Sequence, residues 1–522
     1  MQLKKLPFAD TQAFSSFFLD YIAQKESLQP FYSRFPTLKN FQSQLSEKSS
    51  AFPTAYRTTL VNTLHRQYKS LEPSEVVIKN ISSLGSSKTF TITTGHQLNI
   101  FTGPLYFIYK IVTVINTCKQ LKKTYPDCEF VPVYWMASED HDYDEIKYFK
   151  LYGQKYTWET TQQGAVGRFN PKTIETVLKE IPGDTSIFKE AYLKNTSLSA
   201  AVRSYVNNLF GSEGLIVIDA DDRELKMNFR SVVKEDLLSN TPKLKVDEAI
   251  ARLEGLGYHP QVNPREINFF YLKGNLRSRI EKKDGEFIVV DTALRFTEDQ
   301  ILKKIQEEPE EFSPNVILRP LYQETILPNL AYIGGPAEVI YWLQFKGVFD
   351  HFKMPFPILM PRNFALVMDA PSTRKFEKTK LQLKDLFHEK NFLFNDWVLQ
   401  NSTHNLSVGS SLESVTQIFN ELKLRATDID PTLGPLVGAE LKKTTRSLEK
   451  IERKLIKAEK RLHADKLRQI ETLKDALFPG GNLQERSDNF LNFYQQDPMF
   501  IKKLIERFDP FDFQFNVLSY DD

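Results

Sequence analysis

Thr94-Gly95-His96-Gln97-Leu98-Asn99-Ile100-Phe101-Thr102-Gly103-Pro104 follows a short β-branched run at 89–94 and precedes a long helical pattern at 105–121. A strand, a glycine-bearing turn and a helix in that order open a βα unit. A second apolar strand at 130–136 then ends in the run Glu139-Asp140-His141-Asp142-Tyr143-Asp144-Glu145. The carboxyl ends of parallel strands lie along one edge of an open sheet, so the turn and the acids are predicted to face one crevice. The expected fold class is α/β, with a parallel sheet at its centre.

The chain has 522 residues, more than one core holds, and at roughly 100–200 residues per domain it predicts about three units. A hydrophobic share of 41% and a charged share of 26% are those of an ordinary globular protein and favour neither a disordered chain nor a membrane protein. The net charge of +2 gives no global argument for nucleic acid. Cys118 and Cys128 lack a CxxC spacing, which argues against a disulfide framework or a thiolate zinc site. No apolar run approaches the ~18 residues of a membrane span, and no secretory leader is visible. A cytoplasmic protein, neither secreted nor in a membrane, is expected.

Residues 1–80 read as helical and peripheral, with Phe14, Phe17, Phe18, Tyr21 and Ile22 on one face. The α/β core is expected over 81–370, with insertions near 151–213 and 240–310. A third strand, Gly214-Leu215-Ile216-Val217-Ile218, ends in Asp219, Asp221 and Asp222. Strands at 267–272, 276–281 and 286–290 are separated by Lys273-Gly274-Asn275 and Lys283-Asp284-Gly285, which predict antiparallel hairpins. Over 371–480 the chain is helical: Leu441, Leu448, Leu455 and Leu462 recur every seven residues, with Leu412, Val415, Phe419 and Leu422 as a shorter partner. The twelve Lys or Arg against six Asp or Glu over 441–475 read as a solvated helical face. Residues 481–522, rich in Phe, are expected to return to the core.

The loop carries hydroxyls at Thr94 and Thr102 and glycines at Gly95 and Gly103, and its helix start offers backbone N–H groups to an anion. It is neither a Walker loop nor GxGxxG. The acidic run packs five carboxylates and one imidazole into seven residues, a crowding that a cation, an amine or water must answer. A divalent metal is one such answer. Gly334-Gly335-Pro336-Ala337-Glu338 starts another helix, with Tyr341 and Trp342 on its first turns. Arg319 and Arg362 fall at apparent strand ends, where a guanidinium can hold a carboxylate or phosphate bidentately. The remaining histidines have no ligand spacing, and no Gly-x-Ser-x-Gly elbow is present.

Thr94-Gly95-His96-Gln97 with Thr102-Gly103-Pro104-Leu105-Tyr106, Pro132-Val133-Tyr134-Trp135-Met136-Ala137-Ser138-Glu139-Asp140-His141-Asp142, Gly335-Pro336-Ala337-Glu338 and the late coiled coil resemble the bacillithiol biosynthesis cysteine-adding enzyme family. The resemblance spans nearly the whole chain. It implies a Rossmann-like core related to class I aminoacyl-tRNA synthetases and pantothenate synthetase, two connecting insertions and a homodimer through the coiled coil. The implied reaction joins the carboxyl group of cysteine to the amine of glucosaminyl-malate. The His-x-Gly-His signature of those synthetases is absent, so use of ATP or another adenine nucleotide follows by analogy.

Amide formation from a free carboxylate is uphill in water, so the carboxylate must first be activated. The expected catalytic set is His96, Asp140, His141 and Asp142. His141 would shuttle the proton lost by the amine; Glu139, Asp140 and Asp142 would bind that amine or a metal, and a metal there would alternatively hold the substrate thiol. Substrate contacts are expected from Thr94, Gly95, Gln97, Thr102, Gly103, Glu139, Arg319, Gly334, Gly335, Glu338, Tyr341 and Arg362. Two alternatives are a metal-dependent hydrolase using the same acids and a non-catalytic coiled-coil assembly module.

Overall fold

The structure is a computed structural model and describes residues 1–520. At its centre five parallel strands lie in the order Ile358–Pro361, Asn329–Gly334, Thr89–His96, Glu129–Met136, Ile216–Asp219. The first strand in sequence is thus flanked by the second on one side and the fourth on the other. The order reverses between Thr89–His96 and Asn329–Gly334, which makes a topological switch point, where α/β sheets bind ligands. The strands are almost wholly buried, as a parallel sheet covered on both faces requires. Val131, Val133 and Trp135 pack into one core, and Tyr134 and Met136 into the other. The β-branched threonines add a polar tie: the hydroxyls of Thr91 and Thr93 donate to Asn329 Oδ1 at 3.2 and 2.8 Å.

The helix Tyr106–Thr124 covers the sheet between its first two strands, and the helices Leu38–Ala51, Thr54–Tyr68 and Glu75–Ser83 pack from the N-terminal segment. That segment is not purely helical. Gln2–Pro7 is a strand antiparallel to Gln514–Ser519, which in turn pairs in parallel with Phe364–Met368. In Gln2–Pro7 only Leu3 and Leu6 are half-buried, three apart around two lysines, so its sequence carries no alternating strand signal. Phe364–Met368 consequently belongs to this three-stranded sheet and not to the central one.

The 151–213 insertion opens with a hairpin, Tyr148–Leu151 with Gln154–Thr157, before the helices Ser186–Lys194 and Leu198–Phe210. The antiparallel insertion forms as its turn residues predict. Asp284 and Gly285 both take positive φ, 52° and 83°, as a two-residue hairpin turn demands. A fifth strand, Phe312–Pro314, completes that sheet beside Phe269–Lys273. Helices Gly409–Ile429 and Leu433–Leu462 form the hairpin, joined by three residues; Ala464–Leu477 packs on the helix Lys390–Asn401 through Leu467 and Ile470 and joins the main core through Leu473 and Leu477. No helix among the described residues is long and apolar enough to cross a membrane.

Candidate active site

A cavity of about 840 Å³ opens at the carboxyl edge of the central sheet, at the switch point. That volume suits a small-molecule substrate. Gly95, His96 and Gln97, the turn from Met136 to His141, and Gly335 to Glu338 line one side; the 261–277 and 314–319 segments close the other. The three loops singled out in the sequence therefore share one cavity.

His96 ends its strand half-buried, its ring against Tyr106 and Phe107. Burial, reinforced by Lys110, pushes its imidazole down to about 3, so it is neutral at pH 7. Its Nε2 has no hydrogen-bond partner. Lys110, a single charge in the otherwise apolar Phe107-Ile108-Tyr109-Lys110-Ile111-Val112, reaches back to donate to the Gly95 carbonyl at 2.9 Å and to pair with Glu338 Oε2 at 2.6 Å. Glu338 also accepts from Tyr332 Oη and from the Gly335 N–H, both at 2.7 Å. Burial alone would raise the Glu338 carboxyl, but Lys110 and these donors hold it below its usual range. The Gly335 N–H, expected to meet a ligand, is thus taken by Glu338.

The acidic run is answered by the protein's own cations. Lys226, buried at the end of the short helix Arg223–Met227, pairs with Glu139 at 2.5 Å and with Asp221 at 3.1 Å. Asp221 also pairs with Arg168 at 2.8 Å, and Ser138 donates to Asp219, so acids from two adjacent strand ends share one network. Burial pushes the Glu139 carboxyl up, against the pull of Lys226. Gln97 Nε2 holds Asp140 at 3.1 Å, and Arg277 lies 3.8 Å from the same carboxylate while stacking on Phe270. Arg277 also donates to His141 Nδ1. A guanidinium can only donate, so this nitrogen accepts and the neutral ring carries its proton on Nε2. Burial and Arg277 both hold the His141 imidazole below its usual value.

Among the described residues no three His, Cys, Asp or Glu side chains converge as metal ligands. The donor set at the acidic run does not fit a divalent ion, because an ammonium and a guanidinium already occupy its carboxylates.

Several expected site residues lie elsewhere. Thr94 Oγ1 donates to the Ile333 carbonyl on the neighbouring strand and faces away from the cavity wall. After Gln97 the loop turns inward: Leu98, Ile100, Phe101 and Thr102 are buried, and Asn489 Nδ2 donates to the carbonyls of Phe101 and Gly103 at 2.7 and 2.6 Å. Thr102 and Gly103 are thus structural, and the helix begins only at Tyr106. Asp142 is exposed outside the cavity, where it caps the short helix Tyr143–Ile146. Gly334 lies just behind the wall, its carbonyl accepting from the Arg362 N–H. Arg362 lines the cavity, but its fork is taken by Glu485, at 3.0 and 2.5 Å. Arg319 starts the helix Arg319–Ile326 instead of ending a strand, and it lines the cavity with Tyr341. Sequence reasoning missed Lys110, Lys226, Arg277 and Tyr332; only Lys110, a charge inside an apolar helix, left a local signal.

A Rossmann-like parallel sheet with a cavity at its switch point is the architecture of an α/β protein that binds small molecules. The chain belongs to the BshC family of bacillithiol biosynthesis. Residues 1–363 match that family's N-terminal Rossmann-like domain and residues 365–520 its C-terminal coiled-coil domain. Relatives from Flavobacterium johnsoniae and Flavobacterium psychrophilum are each 42% identical, with 97% of both chains covered. One from Cytophaga hutchinsonii is 41% identical over 99% of both. All three carry the name "Putative cysteine ligase BshC". A solved arginyl-tRNA synthetase-like chain from Campylobacter jejuni aligns at 9% identity, covering 84% of this chain and 98% of that one, with a TM-score of 0.21, too slight to carry an argument.

Proposed function

We propose that this protein is a cysteine ligase that forms an amide between the carboxyl group of cysteine and the amine of glucosaminyl-malate in the cytoplasm. The observation that carries the reading is the single cavity, lined by a half-buried carboxylate, Glu139, a neutral half-buried imidazole, His96, and several arginines. The attacking amine must shed a proton, and a carboxylate whose pKa is raised by burial is a suitable acceptor. Glu139 takes that role in preference to His141, whose Nδ1 is engaged by Arg277. Lys226 and Asp221 fix Glu139, and Gln97 fixes Asp140 beside it. In this reading His96 is a neutral wall of the cavity beside the activated carboxyl group, its unpartnered Nε2 lying beneath the surface. Activation as an adenylate would use the cavity's arginines for the nucleotide phosphates.

The names of the relatives support a ligase over a metal-dependent hydrolase or an assembly module. The test is release of AMP or ADP from ATP by the purified chain, dependent on both cysteine and glucosaminyl-malate, with the amide detected by mass spectrometry. Absence of the amide when ATP and both substrates are supplied, or nucleotide release that needs neither substrate, would refute the reading.

A further inference from the structure

Six cationic side chains line the cavity: Lys110, Arg265, Arg277, Arg319, Arg362 and Arg486. Three are neutralised, Lys110 by Glu338, Arg277 by Asp140 and Arg362 by Glu485. Arg265, Arg319 and Arg486 have no carboxylate partner among the described residues. Gathering like charges around one space is unfavourable unless an anion answers them.

The three come from distant parts of the chain: the Arg319 side chain is held, and the other two are exposed side chains on anchored backbone. Arg319 is wedged among the rings of Trp135, Tyr332 and Trp342, at 5.9, 5.5 and 5.8 Å. Its Nη1 donates to Gln323 Oε1 at 3.1 Å, while its buried Nη2 has no hydrogen-bond partner. Gln323 is in turn fixed by Glu324, which the buried Lys48 and Asn329 hold at 2.8 and 2.6 Å. An orphaned charged donor is destabilising in the empty protein, and that penalty is relieved when an oxyanion arrives. Arg486 directly follows Glu485, so the buried Glu485–Arg362 pair sets its place at the cavity. Arg265 has both backbone polar groups tied to Asn268, at 3.2 and 3.0 Å.

We propose that Arg265, Arg319 and Arg486 form a polyanion subsite that holds a ligand carrying at least two oxyanionic groups. The assignment rests on taking the cavity as the active site. Two sources share this chemistry: the paired carboxylates of a dicarboxylate acceptor and the phosphate chain of a nucleotide.

The test is calorimetric titration of the full-length chain at low salt with malate and, separately, with inorganic triphosphate. Wild type is compared with Arg319→Gln and with the double variant Arg265→Gln/Arg486→Gln. At least one probe should bind wild type and weaken about tenfold or more in the variants. Sensitivity with malate alone assigns the subsite to carboxylates; with triphosphate alone, to phosphates. Arg319 is half-buried among three aromatic rings, so if Arg319→Gln misfolds, the double variant decides, because its two side chains are exposed. Binding by neither probe, or equal binding to wild type and double variant, overturns the proposal. The ligation assay on the same preparations separates the two readings. Amide formation without arginine-dependent probe binding removes the subsite alone; arginine-dependent binding without amide formation removes the ligase reading alone.

Discussion

His96 shows how burial sets chemistry at a single residue. Burial, with Lys110 beside it, pushes its imidazole down to about 3 from the 6.5 of an open chain. Below pH 6.5 the unfolded chain therefore takes up a proton that the folded one refuses, so this residue's contribution to stability is full above pH 6.5 and declines as pH falls through it. At one pH unit below the unfolded value the loss is about 1.4 kcal/mol. His96→Gln keeps a polar side chain and removes the titration. Urea unfolding at pH 7.5 and 5.5 should show a smaller acid-induced loss in the variant, by about that amount. Equal losses in the two proteins would mean that the imidazole is protonated in the folded state. Nothing local in the sequence announces this shift, because it arises from Tyr106, Phe107 and Lys110 closing over the ring after folding.

Among the elements, the strand-to-helix loop divides in two. Gly95 to Gln97 faces the cavity, while Leu98 to Gly103 is pinned into the core by Asn489. Gly103 has φ +61° and ψ −138°, a conformation left to glycine, and a Cβ there would sit 2.5 Å from that of Asn99. Gly103→Ala should lower stability by roughly 1–3 kcal/mol in chemical denaturation, yet leave ligation per folded molecule unchanged. A selective loss of ligation with stability intact would return Gly103 to the site. This division also shows what could be read ahead of the structure. The periods of strand and helix and the position of acids after an apolar strand are local properties, so the parallel sheet and the shared cavity edge were accessible. Which half of the loop faces ligand depends on Asn489, nearly four hundred residues away. The same holds for Glu139, whose partner Lys226 comes from the next strand's helix, and for Arg362, which looks free in sequence until Glu485 arrives. The short strand Gln2–Pro7 is likewise defined only by its partner at the other end of the chain.

For the whole molecule, the body is closed by its termini, and exposed large apolar side chains, scattered singly elsewhere, gather along the helical hairpin. Gly409–Ile429 has no buried residue, and Leu433–Leu462 buries only Gly434 and Glu459. Leu441 and Leu448 are half-covered by the partner helix, whereas Leu455 and Leu462 are 39% and 72% exposed, and Ile418, Leu424 and Ile429 are open as well. A heptad seam longer than its partner within the chain needs a second surface, and a self-complementary stripe on a rod is well matched by its own copy about a two-fold axis. We propose a homodimer formed through this hairpin. Replacing Leu455 and Leu462 with Glu puts charge into the seam without touching any residue that lines the active-site cavity. Light scattering should then report a monomer where wild type is a dimer, with the thermal transition of the body retained. A dimer that survives both substitutions would mean that the subunits meet elsewhere.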